Sequence, residues 1–192
     1  VKILNRLDSI RDGLNDPNSI YHRDFLTSNT MITTTSASKS NQMSASDFAP
    51  GRLTKYTCSH ANGTLTFKNG PFKDVAIITN CKVSFASNLV IENASIIITN
   101  EDDNSWASSS SLTLGKDDGC VAGGGAQIVT YGGSHSAAGL KMYGSQIIAA
   151  KDIAFTSQAV GEGAAVVAGG TIDGTTNMDM AYCGSGMETS FL

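Results

Sequence analysis

The sequence predicts an all-β protein, a right-handed parallel β-helix (a solenoid) with a short N-terminal amphipathic helix. Only 16% of the residues are charged and 20 of 192 are Gly, a composition typical of many short strands joined by turns. Small aliphatic clusters recur along the chain as AIIT (76–79), SIIIT (95–99), QIVT (127–130), QIIA (146–149) and AVVA (165–168). Further apolar pairs follow these main clusters at fixed offsets.

The spacing of these clusters is close to 19 or 20 residues, the length of one β-helix coil with three short strands. We take Ile77, Ile97, Ile128, Ile147 and Val166 as the cluster centres. The one long gap contains EDDNSWASSSS (101–111), and we interpret this run as an insertion of about eleven residues. The glycine pairs 132–133 and 169–170 are expected to supply corner conformations. An antiparallel β-sandwich is the alternative fold.

The first 47 residues are expected to form a separate region, a helix followed by a linker, and residues 48–192 the disulfide-stapled solenoid domain. Ile3, Leu7, Ile10 and Leu14 have helical spacing and predict an apolar stripe that needs a partner. The stripe is expected to pack on the end of the domain itself or to continue a longer helix that begins before Val1, and these residues are candidate partner contacts. Residues 27–47 are rich in Ser and Thr, which favours a linker or an extended surface strand.

Four cysteines, with no CxxC pair, favour disulfides over zinc binding. Three connectivities exist, and sequence order favours Cys58 with Cys81 and Cys120 with Cys183. Disulfides imply an oxidising location, namely the periplasm, the cell surface or the extracellular space. No stretch approaches ~18 consecutive apolar residues, so we expect neither a membrane span nor a retained secretory signal within this sequence, and export would use a segment absent from it.

Charge argues against nucleic acid as a partner. The net charge is −4, and all four arginines lie within the first 52 residues. The predicted coils therefore offer no basic surface for a phosphodiester backbone.

The segment LGKDDGCVAGGG (114–125) raises the question of a binding site. Its glycines lead into a strand pattern and not into a helix with Lys-Ser/Thr, which excludes a phosphate loop. Asp117 and Asp118 are candidate calcium ligands, although adjacent carboxylates on an extended backbone point in opposite directions. Trp106 lies in the polar insertion and is a candidate partner contact or a cover for one solenoid face.

Nothing in the sequence indicates a catalytic residue or an obligatory cofactor. No nucleophile elbow surrounds His60 or His135, and no arginine follows Arg52 to neutralise a uronate substrate. The alternative is a carbohydrate-active β-helix enzyme, a polysaccharide lyase or glycoside hydrolase. It predicts that two carboxylates, or a carboxylate and a lysine, converge in one groove. The candidates are Asp152, Glu162, Asp173, Asp179, Lys141 and Lys151.

Residues 114–188 resemble the C-terminal exported region of TadE/TadG-like proteins of the tight-adherence (Tad/Flp) pilus system. The pattern LGxDDGCxxGGGxQ carries this resemblance, and FAPGRLTKYTC and VAIITNCKVSF extend it towards residue 48. It implies a non-enzymatic structural or adhesive component of a pilus or envelope. The implied partners are other pilus or envelope subunits, or surface carbohydrate, with membrane contact only through an N-terminal anchor absent from this sequence.

Overall fold

A computed structural model describes residues 2–108, 110–136, 139–174 and 177–184, and it confirms the parallel β-helix. Helix α1 spans Lys2–Gly13, and a 3-10 helix spans Ala45–Asp47. The strands of the described residues, in chain order, are β1 (Ile32–Ser36), β2 (Ser40–Met43), β3 (Thr54–Cys58), β4 (Thr64–Phe67), β5 (Phe72–Thr79), β6 (Lys82–Phe85), β7 (Leu89–Ile98), β8 (Trp106–Ser108), β9 (Leu112–Leu114), β10 (Ala126–Thr130), β11 (Ser134–Ser136), β12 (Leu140–Tyr143), β13 (Gln146–Ala149), β14 (Ile153–Phe155), β15 (Ala159–Glu162), β16 (Ala165–Ala168), β17 (Ile172–Gly174) and β18 (Met178–Ala181).

The strands form three parallel faces that the chain visits in a repeating order. Face 1 contains β2, β4, β6, β8, β11, β14 and β17. Face 2 contains β9, β12, β15 and β18 with the first parts of β5 and β7, and face 3 contains β1, β3, β10, β13 and β16 with the last parts of β5 and β7. Strands β5 and β7 therefore run around the corner between faces 2 and 3. Each coil satisfies its backbone hydrogen bonds through the coils on either side.

The interior of face 3 is a column of stacked isoleucines. Backbone pairing aligns Ile77, Ile96, Ile128 and Ile147, and all four side chains are fully buried. The predicted centre Ile97 is therefore wrong by one residue, because Ile97 pairs with Ile78 and Val129. Side chains alternate along a strand, so this shift of one residue moves Ile97 to the outer side of the sheet.

The predicted insertion at residues 101–111 is also wrong in its location. This run contains β8, whose Trp106 pairs with Val83 of β6 and Ser134 of β11. Most of the extra length is instead the β9–β10 loop, which has eleven residues (115–125) where the β12–β13 corner has two. The β7–β8 corner adds a smaller excess, seven residues against three between β13 and β14. The segment LGKDDGCVAGGG is thus the main insertion in the repeat.

Trp106 lies inside the solenoid and contacts no solvent. Its side chain is 0% exposed, and its ring centroid is 5.5 Å from that of Phe85 in an edge-to-face arrangement. The stack continues through Phe67, 5.5 Å from Phe85, to Phe72 at 5.3 Å. Burial contradicts the prediction of Trp106 as a partner contact: its indole packs against neighbouring coils, and the polarity of the surrounding serines misled the prediction.

Helix α1 packs on the outer side of face 3. Leu7, Ile10 and Leu14 are at most 1% exposed and form one apolar cluster with sheet residues that include Ile97 and Val129. The prediction that Ile3, Leu7, Ile10 and Leu14 contact an external partner is corrected accordingly, since Ile3 also packs, partly buried, against this cluster. Because the helix covers face 3, its strands are apolar on both sides, which explains runs such as SIIIT.

The solenoid begins earlier than the predicted boundary at residue 48. Strand β1 pairs with β3 from Ile32 to Ser36, and β2 pairs with β4 from Ser40 to Met43. Residues 32–43 therefore belong to the first coil, so the linker interpretation fails here and its alternative, an extended strand, describes them. Thr is favourable in strands, and the outward side chains of an edge coil tolerate polar residues.

The structure contains both predicted disulfides. Cys58 at the end of β3 is bonded to Cys81, just before β6, and Cys120 in the β9–β10 loop is bonded to Cys183, which follows β18. Two disulfides indicate that the chain folds in an oxidising environment. Among the described residues, no helix is long and apolar enough to cross a membrane.

The glycine pairs at the corners have a different role from the predicted one. Neither Gly132 nor Gly133 has a positive φ, but a Cβ on either residue would overlap a backbone carbonyl oxygen, that of Asp102 or Asp103. Gly169 and Gly170 are equally crowded. These positions need glycine because two chain segments approach closely, whereas the positive φ angles of corners fall elsewhere, for example at Gly144.

Candidate functional site

A cavity on the outer surface of the solenoid lies where faces 2 and 3 meet. It has a volume of about 350 Å³ and is enclosed between residues 22–25, which follow helix α1, and residues 123–125 of the β9–β10 loop. Its floor includes Gln127 and Gln146 on the outer side of face 3. We call this cavity the Arg23 pocket, after the cationic side chain in its wall.

The wall made by residues 123–125 exists because the β9–β10 loop is long. Gly123 and Gly124 have φ values of 90° and 74°, a left-handed conformation that favours glycine. No atom lies within 4 Å of a Cβ built on either residue, so their backbone is open to the surroundings. The loop therefore contributes backbone without side chains to this wall of the pocket.

Arg23 holds the loop against the coil. Its Nη2 donates hydrogen bonds to Asn93 Oδ1 at 3.0 Å and to the Gly125 carbonyl oxygen at 2.9 Å. Asn93 in turn donates from Nδ2 to Asp74 Oδ1 at 2.6 Å and from its backbone to the Gly124 carbonyl oxygen at 2.8 Å. These contacts join the N-terminal region, β5, β7 and the inserted loop in one polar network.

The charge of Arg23 is largely withdrawn from water without a direct ion pair. No carboxylate among the described residues forms a salt bridge with it. Burial lowers the pKa of the guanidinium, and the nearby charges of Asp24 and Asp74 partly oppose that change. Arginine still stays protonated in proteins, so the pocket wall carries a positive charge whose partners are neutral oxygens.

The floor of the pocket is a ladder of polar side chains from successive coils. Gln146 Nε2 donates to Gln127 Oε1 at 2.8 Å, and Gln127 Nε2 donates to Ser95 Oγ at 2.7 Å. Backbone pairing places these three residues in one column on the outer side of face 3. The ladder fixes the orientation of both amides, and Gln146 Oε1 accepts no hydrogen bond from the described residues.

His22 completes the wall, and its Nδ1 is held by the backbone. Its Nδ1 lies 3.1 Å from the carbonyl oxygen of Leu14, the last residue of the apolar stripe of the N-terminal segment. A carbonyl oxygen only accepts, so Nδ1 carries a proton and donates a hydrogen bond to Leu14.

A second, shallower depression lies on face 2 and is acidic. This acidic groove has a volume of about 230 Å³, and its walls include Asp117, Tyr143, Glu162 and Asp179. The pKa of the Tyr143 hydroxyl is raised by burial first, and further by the charges of Asp117 and Glu162 and by a hydrogen bond with Asp117. The groove therefore repels anions and keeps the Tyr143 hydroxyl protonated.

The two candidate calcium ligands diverge. Asp117 faces the acidic groove, whereas Asp118 Oδ1 accepts a hydrogen bond from the Val121 backbone at 3.2 Å and stabilises the turn before the glycine run. The described residues contain no group of three His, Cys, Asp or Glu side chains arranged to hold a metal ion. Calcium binding by Asp117 and Asp118 stays a prediction.

The fold brings only some of the candidate catalytic residues close together. Glu162 and Asp179 share the acidic groove, and Lys141 lies in the same column of face 2 as Asp179. Asp173 is on face 1, and Asp152 is at the corner between faces 3 and 1, where its side chain accepts a hydrogen bond from the Thr171 backbone at 2.7 Å. Lys151 pairs with Asp103 at 2.9 Å, away from that groove.

Comparison with protein families adds one finding. A family model described as Domain of unknown function (DUF7867) matches residues 2–184, which is nearly the whole chain. The chain belongs to the DUF7867 family. No curated protein and no solved structure matches it significantly. The match therefore includes helix α1 and every strand of the described residues, from β1 to β18 of this DUF7867 protein.

Sequence reasoning missed the main residues of the pocket in this DUF7867 protein. Gln127 and Gln146 were detectable, because they precede the aliphatic core in QIVT and QIIA at the same position of successive repeats. Arg23 and Asn93 gave no local signal. Their contacts join residues 70 and 102 positions apart, and only the folded coil brings them together.

Proposed function

We propose that this protein is a non-enzymatic structural or adhesive module that acts outside the cytoplasm, in the periplasm, at the cell surface or in the extracellular space. The observation that supports this proposal best is the outer side of face 1. Its outward column consists of small or polar side chains on seven successive strands: Gln42, Thr66, Ser84, Ala107, His135, Ala154 and Asp173.

Face 1 offers a continuous column of outward side chains across seven strands as a docking surface. Neighbouring strands are about 4.8 Å apart, so seven strands give a surface about 30 Å long. Helix α1 packs on face 3 and leaves this column uncovered. A regular, rigid and polar surface suits contact with another subunit or with a surface carbohydrate. The two disulfides support a location outside the cytoplasm.

Association with a Tad/Flp-type pilus is the narrower form of the proposal. It rests on the resemblance of residues 114–188, which include the β9–β10 loop and its disulfide-bonded Cys120. The partners would then be pilus or envelope subunits. We expect the chain to be found in filaments or envelope fractions of native cells, with its thiols blocked. Recovery only from the cytoplasm with free thiols would contradict the proposal.

A surface variant tests face 1 directly. Ala107→Arg places a long charged side chain in the middle of the outward column, and we expect it to abolish adhesion or incorporation into filaments while the protein stays folded. Thr113→Arg is the matched control, because Thr113 lies in the outward column of face 2. Equal loss in both variants, or in neither, would argue against face 1 as the contact surface.

A carbohydrate-active enzyme is the second candidate, and the acidic groove favours it. Glu162 and Asp179 share that groove, which is one part of the arrangement that glycoside hydrolysis requires. If the groove is catalytic, the protein should cleave a member of a polysaccharide panel, and Glu162→Gln should abolish cleavage. Absence of cleavage by the oxidised protein across neutral and acidic polysaccharides is the outcome expected for a structural module.

A further inference from the structure

We propose that the Arg23 pocket binds a carboxylated sugar, a uronate unit, whose carboxylate forms an ion pair with Arg23. The inference goes beyond the proposed function, because the pocket lies at the corner between faces 2 and 3 and its ligand does not depend on face 1. Three features of the pocket lead to this ligand, namely its unpaired cation, its polar lining and its size.

The unpaired cation comes first. A guanidinium has five N–H donors, and the hydrogen bonds of Arg23 within the described residues all use Nη2. Nε and Nη1 thus keep their donors for a ligand. Burying a charge without a partner of opposite sign is costly, and a carboxylate that pairs with two guanidinium nitrogens removes much of that cost. Arg23 is already oriented by Asn93 and Gly125, so little conformational freedom is lost on binding.

The rest of the lining fits hydroxyl groups. Gln146 Oε1 is a free acceptor held in place by the Gln146 to Gln127 hydrogen bond. His22 also lines the pocket with its Nδ1 held 3.1 Å from the Leu14 carbonyl oxygen, which leaves its Nε2 edge for a ligand, and the wall at Gly123 and Gly124 carries no side chains. Phe25 contributes an apolar ring, over which the Arg23 guanidinium lies 5.8 Å from the centroid. Sugar rings combine these requirements, with hydroxyls at the edge and C–H groups on the face.

The size of the pocket argues against a small inorganic anion as its ligand. Its volume of about 350 Å³ would hold about a dozen waters at liquid density. A phosphate or sulfate ion would leave most of that space filled with water, whereas one sugar ring with a carboxylate occupies a large part of it. The pocket is at the lower end of the size range of small-molecule sites.

Asp24 sets a further condition. It lies in the pocket wall, and its charge acts on Arg23 without forming a salt bridge. A bound anion therefore meets repulsion from Asp24 as well as attraction from Arg23. Removing the Asp24 charge should strengthen binding, which a purely structural role of Arg23 does not predict.

The test uses the purified, disulfide-bonded chain and titration calorimetry with D-glucuronate, D-glucose and inorganic phosphate as separate probes. We expect saturable binding of glucuronate in the millimolar range and at least tenfold weaker binding of glucose and phosphate. Higher salt should weaken glucuronate binding. Equal affinity for glucuronate and glucose would overturn the role of the carboxylate, and equal affinity for phosphate would reduce the pocket to an unspecific anion site.

Variants test whether Arg23 is the residue that binds the carboxylate of glucuronate. Arg23→Gln should weaken glucuronate binding at least tenfold, whereas Arg52→Gln should not change it, because Arg52 donates to the Thr30 carbonyl oxygen away from the pocket. Asp24→Asn keeps the contacts of Arg23 and should tighten glucuronate binding two- to threefold. This variant therefore tests whether an anion binds beside Arg23 even if Arg23→Gln fails to fold. Unchanged glucuronate affinity in folded Arg23→Gln, or weaker affinity in Asp24→Asn, would contradict the proposal.

Discussion

The early and late coils follow the same three-faced path but are held together differently. From β4 to β8 the interior contains a continuous aromatic stack, with neighbouring ring centroids 5.3 to 5.5 Å apart. Strand β11 of the next coil has serines at these positions, since Ser134 pairs with Trp106 and Ser136 with Ser108, before Ile153 and Phe155 of β14 follow in the same columns. In the last coil Ile172 and Met178 are 46% and 42% exposed, although their columns are interior in earlier coils.

Polar groups inside the solenoid mark the transition between the two regions. Ser108 Oγ and Ser136 Oγ are hydrogen-bonded at 3.0 Å, and Ser105 Oγ donates to the Gly133 carbonyl oxygen at 2.8 Å. Trp106 Nε1 and Ser134 Oγ are buried with no hydrogen-bond partner among the described residues. The aromatic coils therefore gain most from apolar packing, while the later coils have less apolar area to bury.

The two disulfides, which we call the first and the second clip, differ in the same way. The first clip, Cys58–Cys81, joins residues 23 positions apart within the early coils. The second clip, Cys120–Cys183, joins residues 63 positions apart and connects the inserted loop to the end of the last coil. A repeat protein is stabilised mainly by contacts between neighbours, so its terminal coil frays unless something restrains it. The second disulfide supplies that restraint where packing is weakest.

The largest effect is expected for Trp106→Ala, which empties the centre of the aromatic stack. Loss of a fully buried large side chain lowers the free energy of unfolding by about 3–5 kcal/mol. Urea denaturation followed by tyrosine fluorescence or circular dichroism measures it. Phe155→Ala, which removes a buried aromatic side chain from the interior of a later coil, is the comparison and should cost less. A larger loss for Phe155→Ala would reverse the contrast between early and late coils.

Removal of the second clip is expected to have the next largest effect. In the chain-entropy model, Cys120→Ala with Cys183→Ala lowers the free energy of unfolding by about 4 kcal/mol, and Cys58→Ala with Cys81→Ala by about 3 kcal/mol. Thermal unfolding of the two double variants measures the difference. If both double variants lose the same free energy of unfolding and neither destabilises the last coil selectively, the second clip has no special role in that coil.

A smaller effect is expected on the outer side of face 3. Leu7→Ala removes a fully buried contact between helix α1 and the sheet and should cost about 2–3 kcal/mol, because that surface is less constrained than the core. Leu4→Ala is the control, since Leu4 is on the same helix and 43% exposed. Similar stability of the two variants would show that the helix does not stabilise the solenoid.

The smallest effect concerns the ion pair on the helix surface. Arg11 Nε donates to Asp12 Oδ1 at 2.7 Å, and this hydrogen bond, followed by the Arg11 charge, lowers the pKa of Asp12. A lowered folded pKa stabilises the protein above the unfolded pKa of about 3.9, and that contribution is lost as the pH falls through the folded pKa.

Asp12→Asn should therefore cost only a few tenths of a kcal/mol at neutral pH, because the pair is solvent-exposed. The difference from the parent should shrink as the pH falls below the unfolded pKa of about 3.9 and vanish once the Asp12 carboxyl is protonated in the folded protein. Stability curves against pH measure it. A difference that grows on acidification would mean that the ion pair is not its origin.

The repeat could be predicted from the sequence because burial imposes it. Ile77, Ile128 and Ile147 occupy one interior column, and their spacing is visible in the chain. Ile96 and Ile97 could not be told apart, because SIIIT is apolar on both sides of the sheet once helix α1 covers it. Both disulfide pairs followed from sequence order alone.

Other features depend on contacts that no local pattern records. Trp106 was assigned to a loop because the run EDDNSWASSSS around it is polar, and only the pairing with Val83 shows that the run alternates between core and surface. Arg23 reaches Gly125 across 102 residues, so the pocket arises from the N-terminal region folding over the coils. The long β9–β10 loop was visible as LGKDDGCVAGGG, but its status as the insertion required the register.

Hydrogen exchange measured by mass spectrometry, with and without reductant, tests the contrast between the coils most directly. We expect reduction of the disulfides to raise exchange strongly in β16, β17 and β18, while β6, β7 and β8 stay protected by the aromatic stack. The cysteine double variants assign the effect to one clip. Equal protection of the last coil before and after reduction, or loss of protection spread evenly along the chain, would contradict the conclusion that packing holds the early coils and the second clip holds the late ones.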